Sequence, residues 1–365
     1  MLSDLLTKRS NPCIKNLTPY QPGKPIDELA RETGLTDIVK LASNESPLGV
    51  SPLAMVAVKE AIENMHFYPD GGCYEIRMAL SRFYKLPFDY FTMGNGSENL
   101  IEIIVKAVCL AGDKAVISQY TFATIPLVLR SFGVQMEIVP TQNWQVDCDA
   151  FINAITPETK IVFIVNPNNP TGSYVSKKNM ERLLQEISPQ TWVVVDEAYN
   201  EYISKEDYSD ALPYLSKHPN LIIMRTFSKV YGLAGLRIGY AIAQPEVSDL
   251  LNRARLPFNV NAIASSAAVA ALQDQAHVKR CKELNDVGMK QLEVGFKELN
   301  LFFIPSVGNF IAVKVGDAAG CYQKLLHKGV IVRPLLGYGM PEFLRVSIGT
   351  QDQNERLLKT LAEVL

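Results

Sequence analysis

Polar side chains of several chemical types follow the apolar runs of this sequence, each where a run ends. Asn169 lies in NPNNPTG, directly after IVFIV at 161–165. Asp196 and Tyr199 follow the run WVVV, and Lys229 follows LIIMRTF. A Gly-rich segment, GNGSEN at 94–99, precedes another apolar stretch, and free N–H groups at such a helix start can bind a phosphate. Together these groups could bind and activate an organic ligand that carries a phosphate.

Each of these residues also has a simpler interpretation when it is taken alone. Asn169 lies among Asn, Pro and Gly residues that are typical of turns. Asp196 could cap a helix or lie on the surface, and GNGSEN lacks the GxGxxG pattern of a dinucleotide site. Most lysines are solvated, but Lys229 lies between an apolar run and small residues. That setting lowers the pKa of a lysine by desolvation and makes its amine nucleophilic.

Short apolar runs alternate with helical stretches from about residue 84 to 245. This alternation predicts an α/β fold with a mostly parallel central sheet and helices on both faces. Ligands bind at the carboxyl ends of the strands in such sheets, so the polar residues above are expected to meet at one edge. The predicted strands lie at 115–118, 134–139, 161–165, 192–195, 221–224 and 237–243.

The pattern changes after Glu246. Two long helical stretches are followed by shorter strands and helices, which predicts a smaller α+β layer with strands at 310–315, 330–334 and 343–349. The first residues are Pro-rich and weakly periodic. We therefore expect three parts: an N-terminal arm at 1–35, a large cofactor-binding domain at 36–250 and a small C-terminal α+β domain at 251–365.

Composition and charge narrow the class of protein. The 365 residues carry 36 Lys and Arg against 38 Asp and Glu, and this balance argues against nucleic acid as a main partner. No apolar stretch approaches the roughly 20 residues that span a bilayer, so no membrane association is predicted. Six Cys and four His are scattered, which predicts no metal site and no disulfide framework. We expect a cytoplasmic protein.

The combination of groups is more specific than its members. An amine that can form an imine, a carboxylate, an amide with a phenol, and a phosphate cradle are what pyridoxal 5′-phosphate (PLP) requires. The carboxylate would keep the pyridine nitrogen protonated, and the amide and phenol would bind the ring oxygen O3′. The lysine would hold the cofactor and then carry a proton as general base.

Three motifs in this order resemble the fold-type-I, class II PLP aminotransferases: NPNNPTG, VVVDEAYNEY and TFSKVYGLAGLRIGY. The spacing is similar too, with 27 residues from Asn169 to Asp196 and 33 more to Lys229. Together with LTPYQPGKP, FYPDG, GNGSENLI and VIVRP…FLRVSIGT, the motifs most resemble the histidinol-phosphate aminotransferases. The resemblance covers residues 17 to about 350.

The resemblance implies roles for individual residues. Lys229 corresponds to the Schiff-base lysine, Asp196 to the partner of the pyridine nitrogen, and Asn169 with Tyr199 to the donors at O3′. Phe122 lies where the family has an aromatic residue stacked on the ring. The implied phosphate site consists of Gly96, Ser97, Glu98, Ser228 and Arg237. Tyr68 in FYPDG resembles a tyrosine that reaches the cofactor phosphate of the neighbouring subunit, which implies a homodimer.

The family's substrates imply a site that accepts two kinds of anion, since histidinol phosphate carries a phosphate and glutamate carries carboxylates. Arg345 could bind either anion through two parallel hydrogen bonds, which a lysine could not reproduce. The candidate substrate residues are Tyr20, Asn44, Arg333 and Arg345. A surface charge at a strand end is the simpler interpretation of Arg345.

The resemblance implies transamination between L-histidinol phosphate and 2-oxoglutarate, which gives imidazole-acetol phosphate and L-glutamate in histidine biosynthesis. An aromatic amino acid aminotransferase and a threonine-phosphate decarboxylase are alternatives, because relatives share the cofactor motifs. A PLP-binding regulator would need an added DNA-binding module. A nucleotide-binding dehydrogenase would need a Gly-rich fingerprint after its first strand, and neither feature is found in the sequence.

Overall fold

The computed structural model describes residues 2–365. The helices are α1 (Leu2–Arg9), α2 (Pro12–Lys15), α3 (Ile26–Thr33), α4 (Pro52–Ile62), α5 (Tyr74–Tyr84), α6 (Ser97–Val108), α7 (Thr124–Ser131), α8 (Cys148–Ala154), α9 (Lys177–Glu186), α10 (Pro245–Ala254), α11 (Ala262–Gln273), α12 (Gln275–Glu298), α13 (Ala318–His327) and α14 (Gln351–Val364). The strands are β1 (Val39–Lys40), β2 (Phe91–Gly94), β3 (Lys114–Ser118), β4 (Gln135–Val139), β5 (Thr141–Gln142), β6 (Gln145–Val146), β7 (Thr159–Val165), β8 (Trp192–Asp196), β9 (Leu221–Thr226), β10 (Gly239–Ile242), β11 (Phe303–Ile304), β12 (Phe310–Lys314), β13 (Val330–Ile331), β14 (Arg333–Pro334) and β15 (Phe343–Ser347). None of the helices in this range is long and apolar enough to cross a membrane.

A seven-stranded sheet forms the centre of the molecule, in the order β2-β10-β9-β8-β7-β3-β4. The ladder from β9 to β4 is parallel throughout. Strand β10 alone is antiparallel to both of its neighbours. The prediction of a mostly parallel sheet is therefore confirmed.

Side chains of the central strands alternate between two apolar cores. Val193 and Val195 of β8 pack into the core beneath α4, α5, α9 and α11. Val194 points to the opposite face and packs with α6, α7 and α10. A strand that is buried on both faces needs apolar residues at every position, which explains the uninterrupted run WVVV. Polar residues are consequently expected only where such a strand ends.

A four-stranded antiparallel sheet, β11-β12-β15-β14, forms the C-terminal layer and packs on α12, α13 and α14. The single strand predicted at 330–334 is wrong, because two short strands form there. Strand β13 pairs in parallel with β1, whereas β14 pairs with β15. The chain thus changes sheets at Val332, and a run of apolar residues cannot reveal such a change of partner.

Two further details differ from the prediction. Strand β2 was not predicted, because four residues that include Thr92 and Gly94 give little apolar pattern. Strand β10 begins at Gly239 rather than at residue 237, since Arg237 has a φ of 57° and cannot continue a strand. The proposed division at residues 35 and 250 stays a prediction. Helix α3 buries Leu29 against Leu326 and Ile331, so residues 26–33 pack on the C-terminal layer.

Candidate active site

A cavity of about 250 Å³ opens at the carboxyl ends of β7, β8 and β9. Thirteen of the fifteen residues predicted for the site line it, and the two exceptions are Gly96 and Tyr68. The lining residues are Tyr20, Asn44, Ser97, Glu98, Phe122, Asn169, Asp196, Tyr199, Ser228, Lys229, Arg237, Arg333 and Arg345. The structure therefore brings together residues that are up to 325 positions apart in the sequence, from Tyr20 to Arg345.

Lys229 follows β9 and extends its amine into the cavity. Its Nζ donates a hydrogen bond to the carbonyl oxygen of Ser43 at 3.2 Å and lies 5.6 Å from the centre of the Tyr199 ring. Burial lowers the pKa of Lys229 to about 8, and the nearby charge of Arg345 acts in the same direction. The amine is therefore partly neutral near pH 8, as a nucleophile and general base must be.

This lowered pKa predicts the pH dependence of amine modification. In the cofactor-free protein, labelling of Lys229 by a small amine-reactive reagent should be half-maximal near pH 8, because only the neutral amine reacts. Ordinary lysines have a pKa of about 10.4 and remain over 99% protonated there. Peptide mapping by mass spectrometry at several pH values measures the labelling of Lys229 and of the ordinary lysines. Labelling of Lys229 that rose only near pH 10 would contradict the assignment.

Asp196 is the last residue of β8 and is only 3% exposed. Its Oδ1 accepts a hydrogen bond from the backbone N–H of Ala198 at 3.1 Å. Burial raises the pKa of Asp196 to about 7. Among the described residues Asp196 makes no ion pair, so a protonated ring nitrogen in the cavity would supply the missing positive partner and stabilise the carboxylate.

Arg345 of β15 reaches across the cavity towards the loop after β7. One terminal nitrogen donates to Oδ1 of Asn169 at 2.6 Å and the other to the carbonyl oxygen of Ala42 at 2.7 Å. Its Nε is buried and has no hydrogen-bond partner among residues 2–365. Arg345 is thus a buried cation, 6% exposed, that makes no ion pair with a carboxylate of the described residues. This environment favours an anionic ligand.

The start of α6 forms another side of the site. Gly96 has a φ of 82°, and a Cβ there would lie 2.6 Å from a terminal nitrogen of Arg237. The left-handed φ favours glycine at this position, and a side chain there would displace the end of Arg237 from the helix start, although Gly96 itself does not line the cavity. Arg237 donates to the Ser228 hydroxyl at 3.5 Å and lies 3.3 Å from Glu98. Backbone N–H groups, two hydroxyls and a guanidinium make this region suitable for a phosphate.

The remaining predicted residues lie at the mouth of the cavity or outside it. Phe122 lines the wall and packs against the core under α6 and α7. The guanidinium of Arg333 lies 5.3 Å from the ring centre of Tyr20, at the entrance. Tyr68 is 84% exposed and stacks on Phe258 at 4.9 Å, away from the cavity of its own chain. Its role towards a second subunit stays a prediction.

Sequence reasoning missed several groups of this site. The Ser43 carbonyl binds the amine of Lys229, and a backbone acceptor leaves no signature in the side-chain sequence. Glu45 also lines the cavity and accepts a hydrogen bond from Lys40 at 2.7 Å. The only available signal was the cluster of polar residues in LASNESPLG, next to the Asn44 that had been predicted.

The donors and acceptors of this cavity fit PLP. The site contains a nucleophilic amine, a buried carboxylate that makes no ion pair among the described residues, an amide beside a phenol, and a helix start with an arginine. The fit rests on Asp196 in particular, because a positive group beside this buried carboxyl would favour its charged form and offset the rise in its pKa.

Comparisons with known proteins agree with this geometry. Residues 36–361 match the family model described as aminotransferase class I and II. The chain is 46% identical over 98% of its length to a protein named histidinol-phosphate aminotransferase 2 from Pseudomonas fluorescens, of which 97% is covered. It is 48% identical to a histidinol-phosphate aminotransferase from Methylobacillus flagellatus, with 96% of both chains covered.

Solved structures of aminotransferases also superpose on this chain. The crystal structure of histidinol-phosphate aminotransferase from Sinorhizobium meliloti, in complex with pyridoxal-5′-phosphate, superposes with a TM-score of 0.89 and 28% identity. The alignment covers 98% of this chain and 97% of that chain. An aspartate aminotransferase from Thermus thermophilus, at 21% identity, shares the fold with a TM-score of 0.86. The predicted fold class is confirmed, and the chain belongs to the class I and II aminotransferases.

Proposed function

We propose that this aminotransferase uses PLP to convert L-histidinol phosphate and 2-oxoglutarate into imidazole-acetol phosphate and L-glutamate, a step of histidine biosynthesis. The observation that carries this proposal is that three groups share one cavity. They are the amine of Lys229, whose lowered pKa leaves it partly neutral, the buried carboxyl of Asp196 and the buried cation Arg345. Relatives named for this activity, at 46–48% identity over nearly the whole chain, support the choice of substrate.

The cofactor supplies an electron sink when it is bound, so that a proton can leave the carbon that bears the substrate's amino group. Asp196 would place a negative charge at the ring nitrogen and so keep that nitrogen protonated. Asn169 and Tyr199 hold the phenolic oxygen of the ring. Lys229 would hold the carbonyl carbon of the cofactor through Nζ, and the same nitrogen, once freed, would accept and return the proton.

Arg345 and Arg333 are the proposed binders of the two substrate anions. Arg345 lies in the floor of the cavity, where a carboxylate or phosphate would be desolvated, and Arg333 lies with Tyr20 at the entrance. Asn44 was predicted to bind substrate as well, and it lines the same cavity. A site with two arginines at different depths can accept anions of different length.

Arg345→Lys is expected to lower kcat/KM for glutamate formation by about 10–100-fold. The substitution removes one charge-assisted hydrogen bond, and such bonds contribute about 1.5–3 kcal/mol. Steady-state rates with L-histidinol phosphate and 2-oxoglutarate measure the effect. Arg253→Lys is the matched control, because Arg253 is 75% exposed on α10 and outside the cavity. Equal activity of the two variants would show that Arg345 does not bind substrate.

We also propose a homodimer in which Tyr68 completes the cofactor site of the partner. Tyr68 lies in a segment whose large apolar side chains are exposed, including Met65 at 67% and Phe67 at 65%. Such a patch is typical of an interface. Burial of Phe67 and Tyr68 in a second copy would remove this surface from water.

Subunit complementation tests the shared site. Tyr68→Ala and Lys229→Ala homodimers should both be impaired, whereas a mixed dimer contains one site with an intact Lys229 and an intact Tyr68. Co-expression with two affinity tags isolates the mixed dimer. Recovered activity of up to half of the wild-type value per dimer is expected, and a mixed dimer no more active than its parents would contradict the shared site.

The proposed cytoplasmic location rests on the cysteines. All six are free thiols, and five of them are buried. Persisting thiols are typical of a reducing compartment.

A further inference from the structure

Asn44 is fixed in place by hydrogen bonds of both its backbone and its side chain. It is 1% exposed and has a φ of 55°, in the left-handed region. Its backbone N–H donates to the Ser347 hydroxyl at 2.7 Å, and its carbonyl oxygen accepts from Nδ2 of Asn309 at 3.0 Å. Its side-chain Oδ1 accepts from Ser347 at 3.0 Å, and Nδ2 donates to the Tyr199 hydroxyl at 2.9 Å.

Ser347 determines which way the amide of Asn44 faces. Its hydroxyl oxygen already accepts from the backbone N–H of Asn44, so its single proton is free to donate to Oδ1. With Oδ1 on Ser347, the amide nitrogen must face Tyr199. Tyr199 therefore accepts from Asn44, and its own proton remains available for an acceptor in the cavity.

The same short segment also holds the amine of the site. Lys229 donates to the carbonyl of Ser43, the residue before Asn44. Ser347 ends β15 and Asn309 directly precedes β12, both in the C-terminal sheet, whereas Tyr199 follows β8 of the central sheet. Residues 43–44 thus connect the C-terminal layer with both Tyr199 and Lys229.

We propose that Asn44, oriented by Ser347, is a positioning residue that aims the Tyr199 hydroxyl at the ring oxygen of the cofactor. Ser347 orients Asn44 although Ser347 itself does not line the cavity. The inference rests on the proposed function, and it gives Asn44 a task besides the predicted contact with substrate.

The chemical consequence follows from competition for one oxygen. The phenolic oxygen of PLP can accept from Tyr199 or from the protonated nitrogen that joins the cofactor to Lys229. A hydrogen bond from Tyr199 to the phenolic oxygen weakens the bond between that oxygen and the protonated nitrogen, so the nitrogen loses its proton more easily. The hydrogen bond that Tyr199 accepts from Asn44 makes the Tyr199 hydroxyl a stronger donor. Loss of Asn44 should therefore keep that nitrogen protonated to a higher pH.

The visible absorbance of the PLP-loaded protein, titrated with pH in the absence of substrate, tests this proposal. Asn44→Gly is the first variant, because glycine adopts the left-handed conformation without strain. Its absorbance midpoint should rise by about 0.5–1 pH unit, the equivalent of one net hydrogen bond. Ser347→Ala should shift the midpoint in the same direction, and Ser347→Thr, which keeps the hydroxyl, should restore it.

Two comparisons separate positioning from a general loss of structure. Ser248→Ala removes another buried serine hydroxyl, 1% exposed and bonded to a backbone carbonyl, and should leave the midpoint unchanged. In a Tyr199→Phe background, Ser347→Ala should cause no further shift, since its effect passes through Tyr199. Unshifted midpoints in both Asn44→Gly and Ser347→Ala, or an equal Ser347→Ala shift in the Tyr199→Phe background, would overturn the proposal. A wild-type protein without a visible band after loading with PLP would instead overturn the proposed function.

Discussion

Lys229→Ala is expected to lower the turnover number of transamination by about 10²–10⁴-fold, the usual contribution of a positioned general base. The variant loses the only amine among the cavity-lining residues that the structure describes. It also loses the group proposed to bind the cofactor covalently. Steady-state formation of glutamate from histidinol phosphate and 2-oxoglutarate measures the turnover number.

Lys282→Ala is the matched control for this variant. Lys282 is also partly buried and also donates to a backbone carbonyl, that of Ile203 at 2.7 Å, but it lies outside the cavity. Its replacement should leave turnover nearly unchanged. Borohydride should fix PLP to the wild type and to Lys282→Ala but not to Lys229→Ala. Near-normal turnover in Lys229→Ala would contradict the assignment of this lysine.

Arg225→Met is expected to have the largest effect on stability, a loss of about 3–5 kcal/mol in the free energy of unfolding. Arg225 is 3% exposed and donates to Glu197 through Nε at 2.9 Å and through a terminal nitrogen at 2.7 Å. It also donates to Asp210 and Tyr84. Its removal leaves the fully buried Glu197 without a cation.

The pH dependence of this loss follows from Glu197. Burial raises the pKa of Glu197 to about 7, and Arg225 opposes that rise. Without Arg225 the folded-state pKa rises further, so the folded variant holds a proton that the unfolded chain releases above about pH 4.3. Stability of the variant should therefore fall as the pH rises from 5 to 8, and the loss relative to wild type should be larger at pH 8.

Chemical denaturation of wild type and variant at both pH values measures these differences. Arg253→Met is the control, because its ion pair with Asp249 is on the surface, and such pairs contribute about 0–1 kcal/mol. A loss in Arg225→Met no greater than in Arg253→Met would show that the buried pair does not stabilise the fold. A larger loss at pH 5 would contradict the assigned role of Glu197.

The sequence predicted those parts of the site that lie next to strong local patterns. Asp196 and Lys229 follow strands whose apolar runs are unmistakable, and the rule that ligands bind at the carboxyl ends of parallel strands brings them together. Arg345 was identified through its resemblance to a family motif. The same patterns predicted most strands of the central sheet to within a few residues.

Other features depend on contacts that no local pattern carries. The bond from Lys229 to the Ser43 carbonyl joins residues 186 positions apart, and the bonds between Asn44 and Ser347 join residues 303 positions apart. The change of sheet within 330–334 depends on which strand lies alongside. The proposed contact of Tyr68 involves a second chain, so the sequence implies it only through resemblance.

The half-reaction with L-histidinol phosphate tests the proposed function most directly. PLP-loaded protein is mixed with this amine alone, and the loss of its visible absorbance is followed in parallel with L-phenylalanine. Much faster conversion with histidinol phosphate is the predicted result, because the phosphate can be bound by arginines at the entrance or floor of the cavity. Comparable or faster conversion with phenylalanine would contradict the proposed substrate and indicate an aromatic aminotransferase.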